Sequence, residues 1–283
     1  MVVGEEMARR STFFDLVRLE LAAAVIVSHS FGLYTGTEPG VLGASLGTWC
    51  VRGFFLLSGY LIAQSWRQDP HIGRFALRRF CRIVPAFAVA FVLSVGLGVT
   101  FGATPPITLW RDLLLLMPPD MLAFPGSHGA FVNGPMWTIH WEAICYALTP
   151  LLFPLLTHRR TAAVAWVSAG AAAFVFSSDR DVAAFLFCFL AGALASDHPM
   201  SIAVPGIKRL PDISYGVYLY GWPVQKALVA LGVNSPWILF ALTMPVVVAL
   251  GFASHWLIER PAMRYALWRA GTPPLARGIP AAQ

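Results

Sequence analysis

Residues 13–34 form an apolar run of 22 residues that carries Asp15, Arg18, Glu20 and His29. A helix of that length crosses a bilayer. Each charge held in hydrocarbon costs roughly 2.5–3.5 kcal/mol on the insertion scale, less toward the ends. A plain anchor would not carry that penalty. Arg18 and His29 are eleven positions apart, which is three helical turns with about 20° left over. They therefore share one face, separated by roughly 16 Å of rise. Asp15 lies on the same face, three residues before Arg18 and within pairing reach. Such a polar file reads as a site.

The rest of the chain agrees with a membrane setting. Of its 283 residues 57% are hydrophobic and 12% charged, against about 25% charged in a soluble domain. The net charge of +6 does not imply nucleic-acid binding, because the basic residues gather in short segments between apolar runs. Cys50, Cys81, Cys145 and Cys188 have no metal-ligand spacing, and no metal site is expected. Arg9-Arg10 before the first run resembles a signal sequence, but that run is too long and too charged for one, so an uncleaved first span is expected.

The length rule gives eight spans, near residues 13–34, 46–66, 83–102, 136–156, 161–177, 182–196, 213–231 and 237–258. Basic and non-basic connections alternate: 67–82 holds five arginines, whereas 35–45 holds no basic residue and one acid, Glu38. The alternation puts both termini and the 67–82 loop in the cytoplasm, and the 103–135 connection outside. The expected fold is all-α: a polytopic transmembrane helix bundle of eight to ten spans. It forms one domain over residues 1–283, with cytoplasmic tails at 1–12 and 262–283, the second partly disordered.

Two stretches admit more than one reading. Ser58-Gly59-Tyr60 in the second span suits close helix packing, or offers hydroxyls to a ligand. Arg78, Arg79 and Arg82 at a helix start suit a positive-inside anchor, or a phosphate site in which guanidinium forks meet phosphate oxygens.

Six motifs occur in order over residues 13–261. They are Phe14-Asp15-x-x-Arg18 with His29, Phe54-Phe55-x-x-Ser58-Gly59-Tyr60, and Arg79-x-x-Arg82-Ile83-x-Pro85. After them come Asn133-Gly134-Pro135-x-Trp137-Thr138-x-x-x-Glu142, then Ile213-Ser214-Tyr215-Gly216-Val217-Tyr218-Leu219, and the closing Glu259-x-Pro261. Together they resemble the membrane acyltransferase family 3, whose members O-acylate sugars and other envelope molecules. The chain departs from it where Gly221 stands before Trp222-Pro223, a place where many members have a histidine. It is also more compact than most, with the shortening around residues 157–212.

What the resemblance implies is a membrane O-acyltransferase of the bacterial inner membrane. Acyl-CoA, with acetyl-CoA foremost, is the expected donor substrate, and no cofactor is permanently bound. A carbohydrate or glycolipid is the expected acceptor. Arg78, Arg79 and Arg82 would meet the donor's phosphates, with Arg18, Asp15, Ser58 and Tyr60 further in. Imidazole titrates near neutrality, so His29 is the expected base. Glu142 is expected in the same leaflet as His29, either orienting its ring or acting as the base itself. Asn133 and Trp137 are placed at the acceptor pocket; Arg52 would bind an acidic acceptor or pair with Glu142. The competing reading is a proton-coupled transporter of an envelope precursor, with His29 and Glu142 as its relay.

Overall fold

The computed structural model describes residues 2–121, 128, 131–156, 180–197 and 211–271. The sequence-predicted fifth span at 161–177 lies outside them. The described chain is helical apart from one small hairpin. Its helices are α1 (Val2–Thr35), α2 (Leu46–Gln68), α3 (Ile72–Thr100), α4 (Leu109–Leu114), α5 (Trp137–Leu156), α6 (Arg180–Ala195), α7 (Ser214–Ala230), α8 (Pro236–Ser254) and α9 (Arg260–Arg269). Among the described residues, four stretches are long and apolar enough to cross a membrane: Thr12–Thr35, Leu46–Gln68, Ile72–Thr100 and Pro236–Arg269. Helices α5, α6 and α7 occupy the predicted fourth, sixth and seventh spans, at 20, 16 and 17 residues.

Three boundaries differ from the sequence reading. Helix α3 starts at Ile72, eleven residues before the predicted span, because His71 caps its N-terminus by accepting from the Arg74 amide at 3.3 Å. Arg74, Arg78, Arg79 and Arg82 of the predicted 67–82 loop are thus side chains of α3, and Arg67 ends α2. At the other end, α8 passes through one wide turn at His255–Glu259 into α9. The first part of the predicted C-terminal tail is therefore helix. Helix α1 likewise reaches back to Val2, through the predicted N-terminal tail.

Contacts between neighbours give the helix directions. Phe14 meets Tyr60 and Ser28 meets Gly47, so α2 runs against α1. Trp66 meets Phe75, which turns α3 back along α1. Glu142 meets Ser58, and Tyr146 lies by Arg79, so α5 runs with α2. Phe185 stacks on Phe55 and Asp197 pairs with Arg67, giving α6 the same direction. The end of α5 and the start of α6 therefore lie at opposite ends of the bundle. Helix α7 runs with α1, since Tyr215 shares a cleft with Arg18 while Trp222 meets His29. Helix α8 returns, from Trp237 against Phe31 to Glu259 against Arg82.

Glycines set the tightest crossing. A Cβ on Gly59 would sit 1.9 Å from the Phe189 carbonyl oxygen, and one on Gly192 would sit 1.9 Å from that of Leu56. Backbones approach that closely only without side chains. Gly59 thus has a packing reason of its own, whatever its neighbours Ser58 and Tyr60 do. Between α1 and α2 the chain makes a hairpin, Gly40–Val41 against Ala44–Ser45. Leu42 and Gly43 form its turn, both at positive φ (53° and 78°), the conformation a two-residue hairpin turn requires.

Candidate active site

Among the described residues, three clusters of polar groups lie along α1. At one end, Asp212 joins α1, α3 and α7. Its carboxylate accepts from Arg18 Nη1 at 3.2 Å, from Arg82 Nη2, and from the Ser214 amide and hydroxyl. Arg82 Nη1 also donates to Glu259 Oε2 at 2.8 Å, and Ser254 donates to the other oxygen of Glu259. The side chains of Asp212 and Glu259 are 0% and 1% exposed, so each charge needs the partners it has. Asp212 was not singled out in the sequence. Its signal was its place, immediately before the Ile213-Ser214-Tyr215 motif.

Arg78, Arg79 and Arg82 are all buried here, but their partners differ. Arg78 donates to Asp69 at 2.8 Å, a carboxylate shared with Arg74. Hydrogen bonds from Arg74 and then Arg78 hold the Asp69 carboxyl well below the usual range. Arg79 donates to the Ser65 hydroxyl at 3.1 Å and lies over the Phe75 and Tyr146 rings. Among the described residues, Arg78 Nε and Nη2 and Arg79 Nε are buried without a hydrogen-bond partner. Buried donors are nearly always satisfied, so these two side chains keep capacity for a ligand that Arg82 has committed elsewhere.

The second cluster surrounds a cleft with about 420 Å³ of empty space, part of it open to solvent. Arg18, Ser58, Thr138, Glu142, Tyr215 and Tyr218 line it together with Phe54 and Phe55. Glu142 accepts from Ser58 Oγ at 2.9 Å and from the Tyr146 hydroxyl. The hydroxyls of Thr138 and Tyr218 bond to each other at 2.7 Å. Tyr60 is buried against Phe14, with ring centroids 5.3 Å apart. Asp15 is half-buried on α1, one turn before Arg18.

The third cluster lies at the far end of α1. His29 Nδ1 is 2.9 Å from Glu38 Oε1, and the other oxygen of Glu38 accepts from Ser28 Oγ at 2.7 Å. The Trp222 ring stands edge-on to the imidazole, with centroids 4.8 Å apart. Burial raises the Glu38 carboxyl, but the hydrogen bond and charge of His29, with Ser28, outweigh it and bring the carboxyl to about 2.

The partner of His29 is thus Glu38, a correction to the expected pairing with Glu142. The reason is the depth at which α5 begins. Asn133, just before it, is fully buried and donates to the Leu219 carbonyl at 2.9 Å and to Ser94 Oγ at 3.0 Å. The helix therefore starts inside the bundle, and Glu142 falls level with Arg18 and Ser58 instead of His29. Those bonds also make Asn133 a brace of this junction rather than an open acceptor contact. Trp137, half-buried, packs on Phe185 at 5.6 Å. Arg52 is paired with Asp181 at 3.2 Å and stacks on Trp49, so it is not the counter-ion of Glu142. His140 bonds the Leu115 carbonyl, away from Glu142 as its angular position predicts, and Glu20 is exposed. Among the described residues no three His, Cys, Asp or Glu side chains cluster as metal ligands.

A helical membrane protein with a charge-balanced knot at one end, a central cleft and a histidine–carboxylate pair at the other has the parts of a group-transfer site. Comparison with known proteins supplies the family. An acyltransferase domain matches residues 11–203, and the chain belongs to that family, the one its motifs resemble. It is 27% identical to nodulation protein 10 of Rhizobium leguminosarum bv. viciae, over 89% of this chain and 93% of that one. It is 25% identical to an O-acetyl transferase of Shigella phage Sf6, over 89% of this chain and 96% of the relative. It also shares 32% identity with the acyltransferase MdmB of Streptomyces mycarofaciens, over 46% of this chain and 35% of that one. No solved structure matches it.

Proposed function

We propose that this acyltransferase is an O-acyltransferase of the bacterial inner membrane, moving an acyl group, acetyl foremost, from acyl-CoA to a hydroxyl of an envelope carbohydrate or glycolipid. The observation that carries the reading is the layout along α1. Arg18 forms one wall of the central cleft, and His29 with a carboxylate partner stands eleven residues further along the same face. That is roughly 16 Å, a span that an extended pantetheine arm covers. The unsatisfied donors of Arg78 and Arg79 suit the nucleotide phosphates at the near end. Trp222 beside His29 suits a sugar ring at the far end.

In this reaction a ring nitrogen of His29 takes the acceptor's hydroxyl proton as the oxygen bonds to the thioester carbonyl carbon. When the carbon–sulfur bond breaks, the imidazolium returns that proton to the departing thiolate. An ester and a free thiol result, with no net change in protons or electrons. The proton-relay alternative loses its basis, because His29 and Glu142 belong to separate clusters. Glu142, held by Ser58 and Tyr146 in the cleft wall, lies where it would line the donor's path.

The test is acetyl transfer from radiolabelled acetyl-CoA into the envelope fraction of the producing cell, by expression-matched variants in liposomes. His29→Ala should abolish transfer while leaving the protein folded. Mass spectrometry of envelope glycans from cells with and without the gene should show an acyl mass lost. Normal transfer by His29→Ala would overturn the reading.

A further inference from the structure

Glu38 is the lone acid of the connection between α1 and α2, nine residues after His29 in the chain. Nothing about its position in the sequence distinguishes it from a solvated loop residue. The structure gives it a built seat. Its Oε1 lies 2.9 Å from His29 Nδ1, and its Oε2 accepts from Ser28 Oγ at 2.7 Å. Ser28 Oγ in turn accepts from the Gly47 amide at 2.8 Å, fixing the carboxylate against the first turn of α2. The next residue, Pro39, accepts from the Leu46 amide at 2.7 Å, which closes the loop over the hairpin.

Two glycines make the seat possible. A Cβ on Gly32 would lie 2.8 Å from Glu38 Cγ, and one on Gly47 would lie 3.0 Å from Glu38 Oε2. A Cβ at Gly32 therefore requires the Glu38 side chain to shift, and one at Gly47 crowds its Oε2. With its carboxyl at about 2, Glu38 is ionised at neutral pH and can only accept. A histidine facing a fixed acceptor through Nδ1 keeps its proton on that nitrogen, which leaves Nε2 bare.

We infer that Glu38 is the positioning residue for His29: delivered by the loop, it fixes the ring's orientation and its Nδ1–H tautomer, so that Nε2 is the atom that takes the acceptor's proton. This inference rests on the acyl-transfer reading above. It gives the α1–α2 loop a part in the chemistry, because the site is complete only while the loop is seated. Glu38 does not touch substrate; it acts through the imidazole. As the imidazolium forms during transfer, the fixed carboxylate stabilises it without having to reorganise.

Two measurements test it. The first uses acetyl transfer from acetyl-CoA into the envelope fraction, with Glu38→Gln, an isosteric change that keeps the loop's shape. An amide can offer its NH₂ to Nδ1 and so favour the wrong tautomer. The expected loss in kcat is on the order of 10²–10⁴-fold, with the KM for acetyl-CoA within about twofold of wild type. Adding Glu38→Gln to His29→Ala should lower the remaining rate no further, since residues acting as a unit are not additive. Gly32→Ala, which keeps both residues but shifts the Glu38 side chain, should lower kcat by a smaller factor. The second measurement is nitrogen-15 NMR of histidine-labelled protein in nanodiscs, with the His29 signal assigned by its absence in His29→Ala. Wild type should show the Nδ1–H tautomer and Glu38→Gln should lose it. A dead His29→Ala beside a Glu38→Gln variant of normal kcat and unchanged tautomer overturns the inference while leaving the acyl-transfer reading standing. An active His29→Ala overturns both.

Discussion

Arg79 and Arg82 are three residues apart on α3 and equally buried, yet their replacement should have opposite consequences. Arg82→Met keeps the volume and removes the charge. Asp212 then retains only Arg18 as a cation, and Glu259 retains the Ser254 hydroxyl, at side chains 0% and 1% exposed. Breaking a buried ion pair by deleting one partner costs about 3–5 kcal/mol. Arg79→Gln removes a hydrogen bond to Ser65 and contacts with two rings. Those amount to about 1 kcal/mol for the hydrogen bond and roughly 0.5–1 kcal/mol for each ring, offset by no longer burying a charge that has an unsatisfied Nε.

A gap of about 3 kcal/mol between the variants corresponds to a melting difference on the order of 10 °C for a chain of this size. Cys50, Cys81 and Cys145 are free and buried, so a thiol-reactive dye reports unfolding in detergent. Activity should rank the other way. Arg79→Gln should raise the KM for acetyl-CoA several-fold while leaving that for acetyl-pantetheine nearly unchanged, because in the proposed function its partner is a phosphate. If Arg82→Met melts with wild type while Arg79→Gln collapses, the assignment of the knot to stability and of Arg79 to the donor is wrong.

Other perturbations address separate parts. Gly59→Ala places a methyl 1.9 Å from the Phe189 carbonyl, so α2 and α6 must part; the dye melt should fall by at least about 1–3 kcal/mol equivalent, and an unchanged melt would contradict the crossing. The Glu38 carboxyl sits at about 2 against its ordinary 4.5; its contribution to seating the loop is present above about pH 4.5 and is lost as pH falls toward 2. Hydrogen-exchange protection at the Gly40–Ser45 hairpin, taken relative to the intrinsic rate at each pH, should therefore fall on acidification in wild type and change less in Glu38→Gln. For topology, Leu42→Cys, at a residue 86% exposed, should react with an impermeant thiol reagent on intact spheroplasts, and Gln68→Cys should not; the reverse would invert the bundle.

How much of this was legible in the sequence follows from what kind of signal each part leaves. Arg18 and His29 were visible because charges in an apolar run are costly, and an eleven-residue spacing on one helix fixes their common face. Their partners were not, because Glu38 comes from a loop and Asp212 from a short link before α7, where neither periodicity nor hydropathy speaks. The depth of Glu142 is not legible because span lengths alone place helix ends level, whereas a buried Asn133 junction draws α5 inward. The early start of α3 is hidden because arginines lower hydropathy, even where they are helical and buried.

The pairing also bears on why the donor end is built as it is. Arg18 and Arg82 carry two positive charges and Asp212 and Glu259 two negative ones, so the knot is neutral and adds little net attraction for an anionic donor. Arg78 and Arg74 share Asp69, which leaves one positive charge over, and Arg79 adds another without a carboxylate among its hydrogen bonds. The excess charge thus sits on the first turns of α3, next to the unsatisfied guanidinium nitrogens, while the balanced knot lies deeper, where Arg18 borders the cleft. An anion drawn to α3 meets a neutral, rigid wall beyond it. That order suits the proposed donor: its phosphates would be held at the entrance, and its uncharged arm would continue toward His29.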